Sequence, residues 1–154
     1  YPYVNASDAF RSEATERGMT LEQFGVWLTE HPDWDQTLDA RTIATARAHE
    51  DIILEGRLAG WMTKRADVPA FRIWMTASED TRIDRLQQRD GGTREDVATH
   101  LTERAKNEHE RYLREYDLDL SDTSIYDRII ESDTQQPEEI VEGILAALAP
   151  QIGA

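Results

Sequence analysis

The sequence contains no cysteine and no long apolar run, and each absence excludes a class of protein. Without cysteine the 154-residue chain has no disulfide framework and no thiolate that could act as metal ligand or nucleophile. No apolar run approaches the roughly 18 residues that a membrane-spanning helix needs, and the first residues show no basic-then-apolar signal segment. We therefore predict a compact cytoplasmic protein with no membrane partner.

The charge balance is strongly acidic, with 31 aspartates and glutamates against 17 lysines and arginines and a formal net charge of −14. Such a surface repels nucleic-acid phosphate and anionic membranes, so no nucleic-acid polymer is predicted as a partner. Only Lys64 and Lys106 are lysines. An acidic, lysine-poor surface suits a salt-rich, halophilic cytoplasm, where screening relieves self-repulsion. A genome whose base composition favours arginine over lysine is the alternative explanation.

Segments with helical and strand-like patterns alternate along the chain, without a repeat, a low-complexity segment or a linker. Aromatic and β-branched runs predict strands at 1–4, 51–55, 70–77 and 127–132. Apolar periodicity and end signals predict helices at 7–17, from a capping box at 20–23 to Pro32, at 33–50, 79–89 and 94–116, and from Pro137 onward. This order predicts one α/β domain over residues 1–154, in three layers with a parallel sheet between helices.

Two of the predicted helices carry an apolar stripe. The helix after the capping box has Leu21, Phe24 and Leu28 on one stripe. The stripe of the last helix consists of Ile140, Val141, Ile144, Leu145 and Leu148.

The strand at 51–55 breaks its apolar pattern where it runs into Glu55, Gly56 and Arg57. Ligands of parallel α/β sheets bind at the carboxyl ends of the strands, so these residues have the position of a ligand site. An acid at a strand end often only accepts a hydrogen bond from the backbone or from arginine. The functional alternative is that it orients a substrate hydroxyl or a magnesium-bound water.

The arginines are informative because the rest of the chain is so acidic. Each one alone is explained by a solvated ion pair on a helix. Together they favour phosphate binding, because planar guanidinium groups at strand ends and on one helix face can converge on an anion. The candidates are Arg11 after the first strand, Arg57 after the second, Arg85 and Arg89 on the helix at 79–89, and Arg104 and Arg111, which share a face of the long helix with Glu108.

Other chemistries have little support in the sequence. The four histidines show no ligand spacing with one another, so no metal site of the protein's own is predicted. Serine, histidine and acid form no recognisable hydrolase set.

Four segments resemble, in order and spacing, the cytidylate kinases of the short archaeal type, which belong to the nucleoside monophosphate kinases: "NASDAFRSEATERGMTLEQFG", "IILEGRLAGWM", "TERAKNEHERY" and "DLSDTSIYDRIIES". The resemblance covers nearly the whole chain. It implies a P-loop-kinase-like parallel sheet of five strands wrapped by helices, with a mobile lid over about residues 90–118. The reaction that it implies is transfer of the γ-phosphoryl group of ATP, with Mg²⁺, to CMP or dCMP.

The resemblance also implies which residues contact the acceptor nucleotide. Arg11 is expected to grip the acceptor's phosphate, and Asn5 to lie in the loop that approaches the nucleotide. Arg57 matches the arginine of the monophosphate pocket, with Gly56 and the acidic Glu55 before it.

Further roles are implied for the lid and for the donor nucleotide. Arg104 and Arg111 resemble the lid arginines that close over the transferring phosphoryl group, and Glu108 resembles an acidic lid position near the acceptor. Arg85 or Arg89 is expected against the base of ATP.

One departure from the family pattern concerns its phosphate loop, of the form G-x-x-x-x-G-K-[ST], which precedes the resembling segments. Neither Gly-Lys-Ser nor Gly-Lys-Thr occurs among the 154 residues, so we do not expect useful catalysis from them alone. The strand before that loop would lie centrally, between the strands at 51–55 and 70–77. We therefore expect about 20–30 further residues upstream, on the scale of one βα unit.

Three interpretations remain open from the sequence. The first is a CMP/dCMP kinase, expected to be a monomer when its phosphate loop is present. The second is a kinase of the same fold that acts on another monophosphate or a small metabolite. The third is a non-catalytic nucleotide-binding or assembly module that lost the loop and pairs its sheet with a partner chain or in an oligomer.

Overall fold

The computed structural model describes residues 1–152, apart from the side chains of residues 35, 151 and 152. The chain divides into two compact units, one over Tyr1–Ala70 and one that begins at Phe71. Each unit contains a sheet of two parallel strands together with helices. The predicted α/β class with parallel strands is therefore confirmed, and the organisation as a single domain stays a prediction.

The first unit is built around the strand pair β1–β2. Its elements are β1 (Tyr3–Asn5), α1 (Ala6–Glu16), α2 (Leu21–Glu30), α3 (Pro32–Arg47), β2 (Ile53–Glu55) and α4 (Ala59–Arg65). The strands run parallel in a register that sets Tyr3 beside Ile53 and Asn5 beside Glu55. Both strands therefore end at the same edge of the sheet, where α1 begins.

Local signals in the sequence explain where the helices of this unit begin and end. The Asn5 side chain accepts a hydrogen bond from the Ser7 backbone N–H at 2.8 Å and so caps α1. Gly18 follows α1 with a φ of 66°, a left-handed conformation that suits glycine. The predicted capping box at the start of α2 is confirmed, since Thr20 and Gln23 each accept from the other's backbone N–H.

The core of the first unit consists of Ala14, Phe24 and Leu28, with partly buried aromatic side chains around them. The Phe10 and Phe24 rings meet edge to face, with their centroids 4.8 Å apart. Leu21 lies on the same apolar stripe of α2, but its side chain is exposed. As the first residue of α2, Leu21 lies at the helix end, while Phe24 and Leu28 pack against α1 and α3.

The second unit contains the strand pair β3–β4 and three helices among its described residues. Its elements are β3 (Ile73–Thr76), α5 (Glu79–Asp90), α6 (Arg94–Tyr116), β4 (Arg128–Glu131) and α7 (Pro137–Ile152). The strands are parallel, with Ile73 beside Arg128 and Thr76 beside Glu131. α6 packs against α5, and Arg94 at its start forms ion pairs with Asp80 and Asp84 of α5.

Two features of the helices were not predicted from the sequence. α4 was not predicted, and its N-cap residue Leu58 offers no side-chain hydrogen bond that would mark its start. On the predicted apolar face of α7, Ile140 is buried, but Val141 and Leu145 are exposed. No helix within residues 1–152 is both long and apolar enough to cross a membrane.

Candidate functional site

Four of the predicted acceptor-site residues, Asn5, Glu55, Gly56 and Arg57, lie at or just after the ends of β1 and β2. Asn5 and Glu55 are the last residues of the two strands and stand side by side in the register. Gly56 and Arg57 follow Glu55, and α1 begins directly after Asn5. Carboxyl ends of parallel strands are the edge at which ligands of such sheets bind, so the structure brings three of the predicted residues, Asn5, Glu55 and Gly56, to that edge.

A chain of hydrogen bonds connects the side chains at this edge. The amide Nδ2 of Asn5 donates to the hydroxyl of Tyr3 at 3.2 Å. The Tyr3 hydroxyl in turn donates to the carboxylate Oε2 of Glu55. This bond raises the pKa of the Tyr3 hydroxyl, because deprotonation would remove the donor and leave two negative charges side by side. Tyr3 was not among the predicted site residues.

The backbone at Gly56 passes very close to the start of α1. A Cβ atom built on Gly56 would lie 2.9 Å from the Cβ of Ala6 and 3.7 Å from that of Ala59. Carbon atoms in ordinary contact are about 3.5–4.0 Å apart. The glycine therefore allows the end of β2 to approach the first residue of α1.

The two arginines predicted for the acceptor's phosphate differ in their surroundings. Arg11 lies on α1 and pairs with Asp8 at 2.8 Å, with both side chains more than half exposed. Such an exposed ion pair contributes little stability, so another anion can replace the aspartate beside Arg11 at little cost. Arg57 lies two residues after the end of β2 and is exposed to solvent.

In the second unit, the predicted lid residues lie along the carboxyl-terminal half of α6. The Nε of Arg104 donates to Oε1 of Glu108 at 2.9 Å, one helical turn further on. The Glu108 side chain is only 15% exposed, whereas that of Arg104 is 64% exposed. The guanidinium of Arg111 lies 4.9 Å from the centre of the Tyr112 ring and donates to the Tyr112 hydroxyl at 3.1 Å.

The two arginines predicted for the ATP base lie on α5. Arg85 reaches the end of β4, where it donates to the hydroxyl and the carbonyl oxygen of Ser132 at 2.9 and 2.5 Å. The buried Ser132 hydroxyl donates onward to the carbonyl oxygen of Thr76 at the end of β3. Arg89 instead pairs with its exposed neighbour Asp90. Of these two arginines, Arg85 alone donates hydrogen bonds at the end of a strand.

Asp133 is a second residue that the sequence reasoning missed. Its carboxylate accepts hydrogen bonds from the backbone N–H of Ser78, at 3.0 and 3.1 Å, and from the hydroxyl of Thr81, at 2.7 Å. These donors stand at the start of α5 and lower the pKa of Asp133 to about 2. The residue was missed because 55 positions separate Asp133 from Ser78 in the sequence.

No group of three histidine or acidic side chains within the described part of the chain is arranged to hold a metal ion. A carboxylate site for a lone ion needs several oxygen ligands at one point. Mg²⁺ bound by the protein alone therefore has no fitting site among these residues.

Comparison of the sequence with known proteins identifies a matching family. The model of the cytidylate kinase-like family matches residues 5–134. This match includes every predicted site residue, from Asn5 at the end of β1 to Arg111 on α6.

Curated relatives of similar sequence cover nearly the whole chain. The protein named cytidylate kinase from Pyrococcus furiosus is 38% identical over 148 residues, which are 96% of this chain and 75% of the relative. Its namesake from Methanocorpusculum labreanum is 38% identical over 149 residues, or 97% of this chain and 82% of the relative. That from Thermoplasma volcanium is 34% identical over 145 residues, or 94% and 76%.

Proposed function

The chain belongs to the cytidylate kinase-like family, and we propose that it transfers the γ-phosphoryl group of ATP to CMP or dCMP. The observation that carries the proposal is the family match over residues 5–134, together with 34–38% identity to cytidylate kinases over nearly the whole chain. A phosphotransferase is therefore favoured over a non-catalytic module. In the reaction, an oxygen of the CMP phosphate bonds to the γ-phosphorus while the bond to the β-phosphate oxygen breaks, which yields CDP and ADP.

For the acceptor nucleotide, we assign the residues at and beyond the ends of β1 and β2. The Glu55 carboxylate would accept a hydrogen bond from the nucleoside, and Gly56 would let the chain turn closely past α1. Arg57 and Arg11 would bind the phosphate, since guanidinium groups match its geometry. The weak, exposed pair of Arg11 with Asp8 supports this role, because a phosphate can replace the aspartate at little cost. Asn5 would fix the start of α1 beside the nucleotide, since its side chain accepts a hydrogen bond from the backbone N–H of Ser7.

For the transferring phosphoryl group, we assign Arg104 and Arg111 of α6, with Glu108 near the acceptor. The transition state is loose and carries its charge on the equatorial oxygens, so catalysis depends on positioning and positive charge. Arg104 is mostly exposed and held by one carboxylate, Glu108. That bond would keep its guanidinium in place until a phosphate oxygen takes over. We propose that α6 and its flanking residues, over about 90–118, move as a lid that closes over the transferring phosphoryl group.

For the donor nucleotide, we keep Arg85 and Arg89 as candidates for contact with the base of ATP. The edges of the Arg85 guanidinium donate to Ser132, and a guanidinium held by its edges can still stack its flat face on a base. Arg85 is therefore the better supported of the two. Mg²⁺ would be carried with ATP and would neutralise charge on its phosphates. No group of three histidine or acidic side chains among the described residues is arranged to hold the ion without the nucleotide.

A substrate panel tests this proposal most simply. The natural protein, made from its complete coding sequence, is mixed with ATP, Mg²⁺ and one of CMP, dCMP, UMP or AMP, and the formation of nucleoside diphosphate is followed. We expect the highest kcat/KM with CMP or dCMP. A higher kcat/KM with AMP or UMP would identify a kinase of the same fold with another acceptor. Binding of CMP without turnover would overturn the assignment as a kinase.

We propose that the protein works in the cytoplasm on small nucleotides alone, and that it is a monomer when its phosphate loop is present. The net charge of −14 supports the absence of nucleic-acid polymers from its partners, because an acidic protein and the phosphate backbone of a nucleic acid repel each other. Analytical ultracentrifugation of the complete protein with saturating substrates would test the oligomeric state, and we expect the mass of one chain.

A further inference from the structure

Tyr3 connects two of the proposed acceptor-site residues, Asn5 and Glu55, through the hydrogen bonds of its hydroxyl. It lies on β1 two residues before Asn5, so both side chains project from the same face of the sheet. The register places Glu55 beside Asn5 on this face, one diagonal step from Tyr3. Tyr3 is 55% exposed and does not belong to the core cluster of its unit, so its hydroxyl contributes to this edge and not to core packing.

The hydrogen bonds around Tyr3 can run in only one direction. The Oδ1 of Asn5 accepts from the backbone N–H of Ser7, which leaves the NH₂ end of the same amide facing Tyr3. The Tyr3 oxygen accepts that bond, and its single proton goes to Oε2 of Glu55. The carboxylate is the final acceptor of this chain of bonds, which starts at the backbone of α1. One oxygen of Glu55 is therefore held by a hydrogen bond from Tyr3, whose hydroxyl is itself oriented by Asn5.

We propose that Tyr3 is a positioning residue that holds the Glu55 carboxylate in place to accept a hydrogen bond from the acceptor nucleotide. The inference rests on the proposed function of this site. A carboxylate without a proton can only accept, so it recognises donor groups and disfavours acceptor groups. On a cytidine nucleotide the donors that differ between close analogues are the 2′-hydroxyl of the sugar and the amino group of the base. Because a charge-assisted bond depends on geometry, a carboxylate free to rotate would discriminate less well.

The first test compares Tyr3→Phe with the wild-type protein in steady-state kinetics and in equilibrium binding of CMP. We expect Tyr3→Phe to raise KM and Kd for CMP about three- to tenfold, the range of one hydrogen bond, with kcat and KM for ATP nearly unchanged. Tyr1→Phe is the matched control, since Tyr1 is exposed and lies two residues away on the same segment. A merely structural role of Tyr3 would change all parameters together or lower the melting temperature.

The second test asks whether Tyr3 acts through Glu55. In a Glu55→Gln background, Tyr3→Phe should have little further effect on KM for CMP, because the carboxylate that it positions is gone. Full, additive effects of the two substitutions would overturn the proposal, as would a Tyr3→Phe protein with unchanged KM and Kd for CMP.

Substrate analogues distinguish the two possible donor groups. If Glu55 accepts from the 2′-hydroxyl, Tyr3→Phe should reduce the preference for CMP over dCMP and leave the preference over UMP unchanged. If Glu55 accepts from the base amino group, the preference for CMP over UMP should fall instead. An equal loss with all three nucleotides would contradict recognition of either group.

The binding measurement separates failure of this inference from failure of the proposed function. A wild-type protein that binds CMP but does not phosphorylate it would overturn the proposed function, while the Kd values would still decide the role of Tyr3. A wild-type protein that neither binds nor phosphorylates CMP would overturn both.

Discussion

Gly56 and Ala6 approach so closely that a Cβ atom on Gly56 would lie 2.9 Å from the Cβ of Ala6. The contact joins the residue after β2 to the first residue of α1, so it sets the shape of the edge that carries Glu55 and Arg57. We expect Gly56→Ala to lower the free energy of unfolding by about 1–3 kcal/mol, because backbone must shift on one side. Activity should fall with it.

Two further variants make this prediction specific. Adding Ala6→Gly to Gly56→Ala removes the opposing methyl group and should recover part of the lost stability. Gly25→Ala is the matched control: Gly25 lies within α2 with open space around its Cβ position, so alanine should stabilise the protein by about 0.5–1 kcal/mol. Thermal unfolding of the four proteins measures all of these effects. A Gly56→Ala protein as stable as wild type would contradict the close approach.

Substitution of Arg57 tests the phosphate pocket of the acceptor. Arg57→Ala should raise KM for CMP and lower kcat, since the side chain is proposed to bind the phosphate in the ground state and to bind it more strongly in the transition state. Arg65→Ala, which removes another exposed arginine from the end of α4, serves as the control and should leave both constants nearly unchanged. If Arg57→Ala retains full kcat/KM for CMP, its assignment is wrong.

Substitution of Arg104 tests the lid. Arg104→Ala should lower kcat about 100-fold or more and change KM for CMP much less, because its charge is needed mainly when the phosphoryl group is in transit. Lys106→Ala is a matched control on the same helix, since Lys106 also faces a glutamate one turn on, Glu110. Its kcat should stay within about twofold of wild type, as expected for an exposed pair. Equal losses in both variants would point to a general effect on α6.

The hydrogen bonds of Asp133 predict how stability depends on pH. The pKa of Asp133 in the folded protein is about 2, below the ordinary value of 3.8. Its stabilising effect is therefore complete above pH 3.8 and is lost as the pH falls towards about 2. Asp133→Asn should lower the melting temperature at neutral pH and weaken the decrease in stability across this acidic range. Melting curves at a series of acidic pH values measure both effects.

A surface aspartate provides the control for this pH dependence. Asp51→Asn removes an exposed carboxylate from the segment before β2. It should leave the acidic part of the stability curve as it is in the wild-type protein. A wild-type curve that Asp133→Asn does not alter would show that the contacts with Ser78 and Thr81 contribute nothing.

Local patterns predicted most of the helices and strands because the signals lie within a few residues of one another. The capping box at Thr20 and Gln23 and the glycine after α1 are of this kind. α4 was missed because its seven residues contain glycine and its N-cap residue, Leu58, forms no side-chain cap. The exposed Val141 and Leu145 show a different limit, since periodicity identifies an apolar face but not how much of it the rest of the chain covers.

The candidate site was predictable only in part for a related reason. Glu55, Gly56 and Arg57 interrupt the apolar pattern of a predicted strand and can be recognised from neighbouring residues alone. Tyr3 and Asp133 act through partners 52 and 55 positions away, so their bonds depend on strand register that no local pattern contains. The sequence therefore predicts a ligand site after the strand at 51–55, but it does not predict the hydrogen bonds of Tyr3 and Asp133 within their two units.

The measurement that tests the central claim most directly is product analysis after the complete protein is incubated with equimolar ATP, CMP and Mg²⁺. Phosphorus NMR of the quenched mixture identifies every nucleotide product in one spectrum. The assignment predicts CDP and ADP in equal amounts, formed only when ATP and CMP are both present. Release of inorganic phosphate without CDP, or recovery of CMP unchanged, would contradict it.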